Sequence, residues 1–195
     1  MDYYDENNVF IQTRNRFSDQ QEEDYVIEYA TNFTKKFEKE DHLFTADFSV
    51  SKNQDNETAF ITDQILNSTD PVQFENTLNN STRNRMLAKT DYVLPIGEDG
   101  RFEAGYKGEF IENLTDFNVE DFNVDTGDYE NNPNISNLFE YKEKVHAFYT
   151  QYGNKLNKLS YFFGLRWEDS NIDVNQLSTN DLTNKKYNNF FPSAV

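Results

Sequence analysis

The feature that most constrains this chain is a two-residue alternation sustained over segments of nine to eleven residues, with formal charges along one of the two faces. In a β-strand successive side chains point to opposite sides, so alternate residues share a face. Tyr25, Ile27, Tyr29, Thr31 and Phe33 alternate with Val26, Glu28, Ala30 and Asn32. Phe44, Ala46, Phe48 and Val50 alternate with Thr45, Asp47, Ser49 and Ser51. Phe102, Ala104, Tyr106, Gly108 and Phe110 alternate with Glu103, Gly105, Lys107 and Glu109. Leu159, Tyr161, Phe163, Leu165 and Trp167 alternate with Ser160, Gly164, Arg166 and Glu168, Phe162 being the one apolar member of the second set. A looser version spans Met86, Ala88, Thr90 and Tyr92 against Leu87, Lys89, Asp91 and Val93. Another spans Phe139, Tyr141, Val145, Ala147 and Tyr149 against Glu140, Lys142, Lys144 and His146. Soluble strands average about 5–6 residues, whereas a tilted strand that crosses a bilayer needs about 9–11.

The charged face decides between a soluble and a membrane sheet. A sandwich core would have to hold those ions without partners, whereas a polar lumen tolerates them. The expected fold is therefore all-β, an antiparallel up-and-down transmembrane β-barrel, present as an incomplete, curved open sheet. Composition agrees: only 36% of residues are hydrophobic, yet 16% are aromatic, a pairing that suits rings on an outer face better than a packed core. No apolar run reaches the roughly 18–20 residues of a membrane helix.

Connections supply a direction. The links at 34–42 and 94–100 and the turn at Gly153-Asn154-Lys155 are short, and those at 53–84, 112–136 and 170–186 are long and polar. Short periplasmic turns and long extracellular loops are the outer-membrane pattern. The segments 25–33, 86–93 and 139–152 then run inward, and 43–52, 101–111 and 157–168 run outward.

Several quoted stretches also resemble a known family. Thr90-Asp91-Tyr92-Val93-Leu94-Pro95 followed by Phe102-Glu103-Ala104-Gly105-Tyr106-Lys107 is similar to a hairpin of TonB-dependent outer-membrane receptors. So are Phe139 to Tyr149, Gly164-Leu165-Arg166-Trp167-Glu168 and the closing Tyr187-Asn188-Asn189-Phe190-Phe191-Pro192-Ser193-Ala194. The branch most resembled is the outer membrane protein β-barrel family that carries a carboxypeptidase-like regulatory domain ahead of the plug. The resemblance implies a barrel of about 22 strands, a plug in its lumen, a segment that engages TonB, and import of a large solute such as a metal chelate or glycan with no bond broken. Residues 1–195 are expected to form part of such a barrel domain, about six or seven strands, without the plug. Met1 to Asn8 lack a basic n-region and an apolar h-region, so no signal peptide is expected there, and the chain is expected to be an internal piece of a larger receptor. The competing reading is a soluble β-rich module that binds a carbohydrate or another ligand.

Candidate sites follow from this frame. The loops 53–84, 112–136 and 170–186 are the expected ligand-facing side. Glu28, Asp47, Lys89, Asp91, Glu103, Lys107, Glu109, Lys142, Lys144, Arg166 and Glu168 are expected on the inner wall, paired with neighbouring strands or lining a path. Tyr141, Tyr149, Tyr152, Tyr161 and Trp167 are candidates for interfacial girdles. Glu143 is a misfit, falling among Phe139, Tyr141 and Val145 on the face assigned to lipid.

Asp121-Phe122-Asn123-Val124-Asp125-Thr126-Gly127 places oxygen donors at positions 1, 3 and 5 of a calcium-loop pattern. However, Gly127 falls at position 7 and Asn132 stands where the bidentate Glu belongs, so a solvated loop is expected. His42 and His146 have no paired metal spacing. No nucleophile elbow, phosphate loop or catalytic carboxylate pair is present, so neither an enzyme nor a cofactor is expected. With 35 acidic against 18 basic residues and a net charge of −17, nucleic acid is excluded as a partner. The expected partners are outer-membrane lipid, the plug and remaining barrel strands, and the TonB system. The isolated sheet would have two open edges, so the chain alone is expected to aggregate in water.

Overall fold

The computed structural model describes all 195 residues. They form a single nine-stranded antiparallel sheet with no second layer. Seven strands are long: β2 (Phe10–Lys36), β3 (Leu43–Ile65), β4 (Gln73–Ile96), β5 (Gly100–Asn123), β7 (Asn137–Leu156), β8 (Leu159–Gln176) and β9 (Asp181–Ala194). They pair in chain order as an up-and-down meander, with the short β1 (Asp2–Tyr4) on β2 and the short β6 (Asp128–Asn131) on the upper end of β5. The soluble alternative required two sheets burying their aromatic faces against each other, and there is only one sheet.

Only 8 of 195 residues are buried, and the accessible surface is 13,879 Å². A folded monomer of 23.0 kDa would expose about 9,600 Å². The excess is large rings on one face: Tyr29 is 59% exposed, Phe33 56% and Phe163 57%. Water would oppose that exposure, and hydrocarbon would not. Phe102, Tyr106 and Tyr161 also remain partly exposed on that face.

Register fixes the two faces across the whole sheet, because directly opposed residues share a side. Phe33↔Ala46, Ala46↔Thr90, Thr90↔Tyr106, Tyr106↔Phe148, Phe148↔Trp167 and Trp167↔Phe190 form one aromatic row. Asn32↔Asp47, Asp47↔Lys89, Lys89↔Lys107, Lys107↔Ala147 and Ala147↔Glu168 form a neighbouring row on the charged face. The small apolar core, Ala59, Ile61, Val93, Val119 and Ala147, lies entirely on the charged face, where side chains crowd as on the inside of a curve.

The apolar band drifts diagonally over the sheet. The row that begins at Tyr29, mid-band on β2, passes through Val50, Met86, Phe110 and Lys144 to Asn171 on β8. That is about seven residues beyond the middle of β8's own band, Tyr161 to Trp167. A drift of about 23 Å along the strand over five spacings of about 4.8 Å corresponds to a tilt of about 44°, close to the range for outer-membrane barrels. The drift keeps the band level in a bilayer while the strands lean.

Four expectations are corrected. The segments 53–84, 112–136 and 170–186 are not long loops. β3 runs on to Ile65 and β4 begins at Gln73; β5 runs to Asn123; β8 runs to Gln176, with β9 starting at Asp181. What projects is paired strand, joined at its tips by 66–72, 124–127 and 177–180, with 132–136 linking β6 to β7. β2 likewise extends up to Phe10. At 27 residues and the tilt above, it spans roughly 64 Å along the membrane normal, against a hydrocarbon band of about 25 Å. Second, the tight turn is Asn157-Lys158, with Asn157 in the left-handed region at φ 56, a conformation that asparagine tolerates. Gly153 to Leu156 remain in strand, held by Arg101↔Gly153 and Leu156↔Leu159.

Third, the faces of β7 are reversed. Phe148, His146, Lys144, Lys142 and Glu140 share the aromatic face with Tyr106, Gly108, Phe110, Glu112 and Leu114. Phe139, Tyr141, Val145, Ala147 and Tyr149 lie on the charged face with Thr115, Asn113, Glu109, Lys107 and Gly105. Lys142, Lys144 and His146 therefore do not belong to the inner wall, and Tyr141 and Tyr149 do not belong to a girdle. Fourth, Glu143 ceases to be a misfit: it stands on the charged face and accepts a hydrogen bond from the Tyr141 hydroxyl at 3.0 Å.

Candidate functional site: a charged inner wall and its projecting hairpins

Within the membrane band the charged face is a continuous polar wall. Arg85 donates to Glu109 from Nε at 2.9 Å and from Nη2 at 2.6 Å, and Lys107 joins Glu109 at 2.7 Å. Lys89 pairs with Asp91 at 2.8 Å, Arg101 with Glu103, and Arg166 with Glu168 at 2.7 Å. Most of these pairs run along one strand between residues two apart, and only Arg85–Glu109 bridges strands. The expected cross-strand pairing is thus largely replaced by pairing along the strand. Lys89 and Lys107 stand directly opposite each other, and each turns to its own neighbouring carboxylate. Glu28 and Asp47 also lie on this wall, Asp47 accepting a hydrogen bond from Asn32.

One aromatic belongs to the wall by design of its neighbours. The Tyr149 ring crosses the place where a side chain would stand on Gly105 and donates its hydroxyl proton to Asp91, two strands away. Gly105 is required here because a Cβ would overlap both that ring and the Thr90 carbonyl. Gln151 donates to Glu103 at 2.6 Å in the adjoining row.

The aromatic face carries the girdle residues that remain. Tyr152 and Tyr161 lie 6.3 Å apart, Tyr161 and Phe163 5.8 Å, and Phe148 stacks on Trp167 at 5.8 Å. Trp167 Nε1 donates to Asn188 at 2.7 Å. Both histidines are on this side, each in contact with a tyrosine hydroxyl. His42 Nε2 is 2.9 Å from Tyr92 and stacks on Phe37, and His146 Nδ1 is 2.9 Å from Tyr106. His42 lies in the turn between β2 and β3 and His146 within β7, and the two do not converge.

Above the band, β2, β3 and β4 are tied on the inner face by a network absent from the sequence reading. Arg14 Nε donates to Asp63 at 2.7 Å, and its Nη2 grips the second oxygen. Arg16 reaches the same carboxylate at 3.4 Å and Glu75 at 3.1 Å. The bonds from Arg14, with Arg16 adding positive charge, hold the Asp63 carboxyl below its ordinary range, and Asp63 in turn holds the Arg14 guanidinium more firmly protonated. Nothing in the sequence announces these partners, which are 47 to 59 positions apart. Burial, reinforced by Glu143, raises the Tyr141 phenol above its ordinary value.

On the opposite side of the same hairpins, Phe60 stacks on Phe74, which meets Phe122, which meets Tyr129, at 6.0, 6.0 and 5.3 Å between rings. The residues of the calcium-like pattern are engaged in the turn itself. Asp121 accepts from Asn132 at 2.7 Å, Asn123 accepts from the Asp125 backbone at 2.9 Å, and Asn123 donates to Glu130 at 2.9 Å.

The model of the outer membrane protein beta-barrel family matches residues 35–195. The chain belongs to that family. The barrel wall is thus an outer-membrane structure, and in such a barrel an apolar, ring-bearing face suits lipid and a charged face a polar lumen. No curated protein matches the sequence. Among solved structures, the ferric citrate transporter FecA in its unliganded form is similar at a TM-score of 0.42 and 11% identity, over 78% of this chain and 25% of that one. The chain therefore spans about a quarter of that transporter's length.

Proposed function

We propose that this chain is a section of the wall of an outer-membrane receptor that captures a large solute on its projecting hairpins and admits it through a polar lumen. The observation that carries the reading is the inner wall: a row of paired ions crossing the whole membrane band, backed by an apolar outer face. Such a wall stands against water or against a polar plug. Seven long strands with β2 and β9 unjoined also fit a wide barrel better than an eight-stranded one, in which side chains fill the interior. Further strands and a plug complete the barrel, TonB supplies the energy, and the chemistry is binding and gated passage, with no bond broken.

The upper hairpins, residues 53–84, 112–136 and 170–186, form the ligand-facing side, and a metal chelate or a glycan matches their polar, ion-rich surface. The test is uptake by cells that carry the receptor from a medium of mixed iron chelates and oligosaccharides. One solute should be depleted in cells with TonB and not in cells lacking it, and removal of the tip 66–72 should weaken its capture. Equal depletion with and without TonB would refute the energised reading. Depletion that ignores every hairpin deletion would refute the placement of the ligand.

A further inference from the structure

The outer face carries a depression of about 470 Å³, within the usual size range of small-molecule sites. It lies where the apolar band of β3, β4 and β5 ends on the extracellular side. Its floor is apolar: Ile27, Tyr29, Val50, Met86 and Phe110 all belong to the aromatic face. Its upper rim is polar, with Lys52 on β3 and Lys144 on β7 at the two ends. Both lysines are exposed. Neither has a carboxylate within ion-pairing distance, whereas Lys89, Lys107 and Lys142 each hold one. The strands carrying Lys52 and Lys144 are three spacings apart, about 14 Å.

We propose that this depression binds a phosphorylated lipid of the outer leaflet, with acyl chains along the Ile27–Phe110 floor and the phosphorylated headgroup between Lys52 and Lys144. Hydrocarbon already covers the floor by virtue of the membrane, so the commitment lies in the rim. Two unpaired ammonium groups at the height of the headgroups attract anions in a layer of reduced dielectric, where their charge counts for more than in bulk water. Glu112 on β5, which also lines the depression and stands opposite Lys142, opposes the same anion and limits its affinity. The site is independent of the transport reading, since it faces lipid and not the lumen.

The test uses the protein extracted from its own outer membrane in mild detergent, with bound lipid read by native mass spectrometry. Three probes are added in turn: lipid A, lipid A stripped of its phosphates, and phosphatidylglycerol. Lipid A should be retained at least tenfold over its dephosphorylated form. Lys52→Glu with Lys144→Glu should lower retention at least tenfold, Lys52→Arg with Lys144→Arg should restore it, and Lys158→Glu in the opposite turn should leave it unchanged. Glu112→Gln should raise retention, an effect that a folding defect cannot mimic. Equal retention of lipid A with and without phosphates would overturn the proposal. So would retention unchanged by both the double Glu variant and Glu112→Gln, or displacement of lipid A by millimolar inorganic phosphate, which would show a site for the free anion. Stronger retention of phosphatidylglycerol than of lipid A would overturn the two-point geometry.

Discussion

Leu87 and Ala88 are consecutive residues on β4 at one membrane depth, and they face opposite solvents. Ala88 is flanked on the aromatic face by Phe48 and Gly108, and Leu87 on the charged face by Ser49 and Glu109. On β4 the apolar band runs from Met86 to Tyr92, so Ala88 lies near its middle. An arginine at a lipid-facing midplane position costs about 2–4 kcal/mol. Ala88→Arg should therefore lower the folded-to-unfolded ratio about 30-fold to nearly 1,000-fold. Leu87→Arg introduces the same charge about 3.3 Å along the chain, but opposite Glu109, and should change stability by less than about 1 kcal/mol. The assay is urea denaturation in outer-membrane vesicles, followed by the heat-modifiable, protease-resistant band on gels. Ala88→Arg should shift the midpoint down strongly and Leu87→Arg little. Equal shifts, or the reverse order, would mean that the lipid and lumen faces have been exchanged.

Gly105→Val should displace Tyr149 from Asp91 and press on the Thr90 carbonyl, with a loss of about 1–3 kcal/mol in the same assay; Gly153→Ala, where an added Cβ meets nothing closer than 3.6 Å, should not show that overlap. Asp63 has a folded pKa below its unfolded value of about 3.9, so the stability it lends the β2–β3 hairpin is present above that value and lost as pH falls through the depressed one. Hydrogen-exchange protection of residues 14–20 and 58–65 should thus drop below pH 4, and Asp63→Asn should remove that step while lowering protection at pH 7. Phe74→Ala should loosen the Phe60–Phe122–Tyr129 cluster, costing about 0.5–1.5 kcal/mol beyond lost burial, and raise exchange in 58–62 and 118–122 without altering the band.

The faces of β2, β3, β4, β5 and β8 were legible in the sequence because hydrocarbon acts on them. Over residues 25–33, 44–50 and 102–110 any charge on the wrong face is costly, so the alternation is enforced and readable. Above the band both faces meet water, and the constraint lapses. Residues 51–58 and 79–84 are therefore polar on both sides, and they read as loop although their backbones are fully paired. Their strand state comes from hydrogen bonds propagated up from the band, which leave no periodic signature. β7 failed for a related reason. It has rings on both faces, and its clearest alternation, Phe139 to Val145, lies largely above the band and reports nothing about lipid. The Arg14–Asp63–Arg16–Glu75 network was invisible because ion pairs between residues about 50 positions apart require a register.

What the sequence determined by itself is the period, and with it the division of most side chains between two solvents, since that division is local and each strand satisfies it alone. What only the tertiary structure decided is which residues stand opposite one another. Register placed Gly105 beneath Tyr149, turned β7 over, carried Glu143 to the wet side, and left Lys52 and Lys144 unpaired at the lipid edge. Those outcomes depend on neighbouring strands, and a strand's own residues carry no record of its neighbours' alignment.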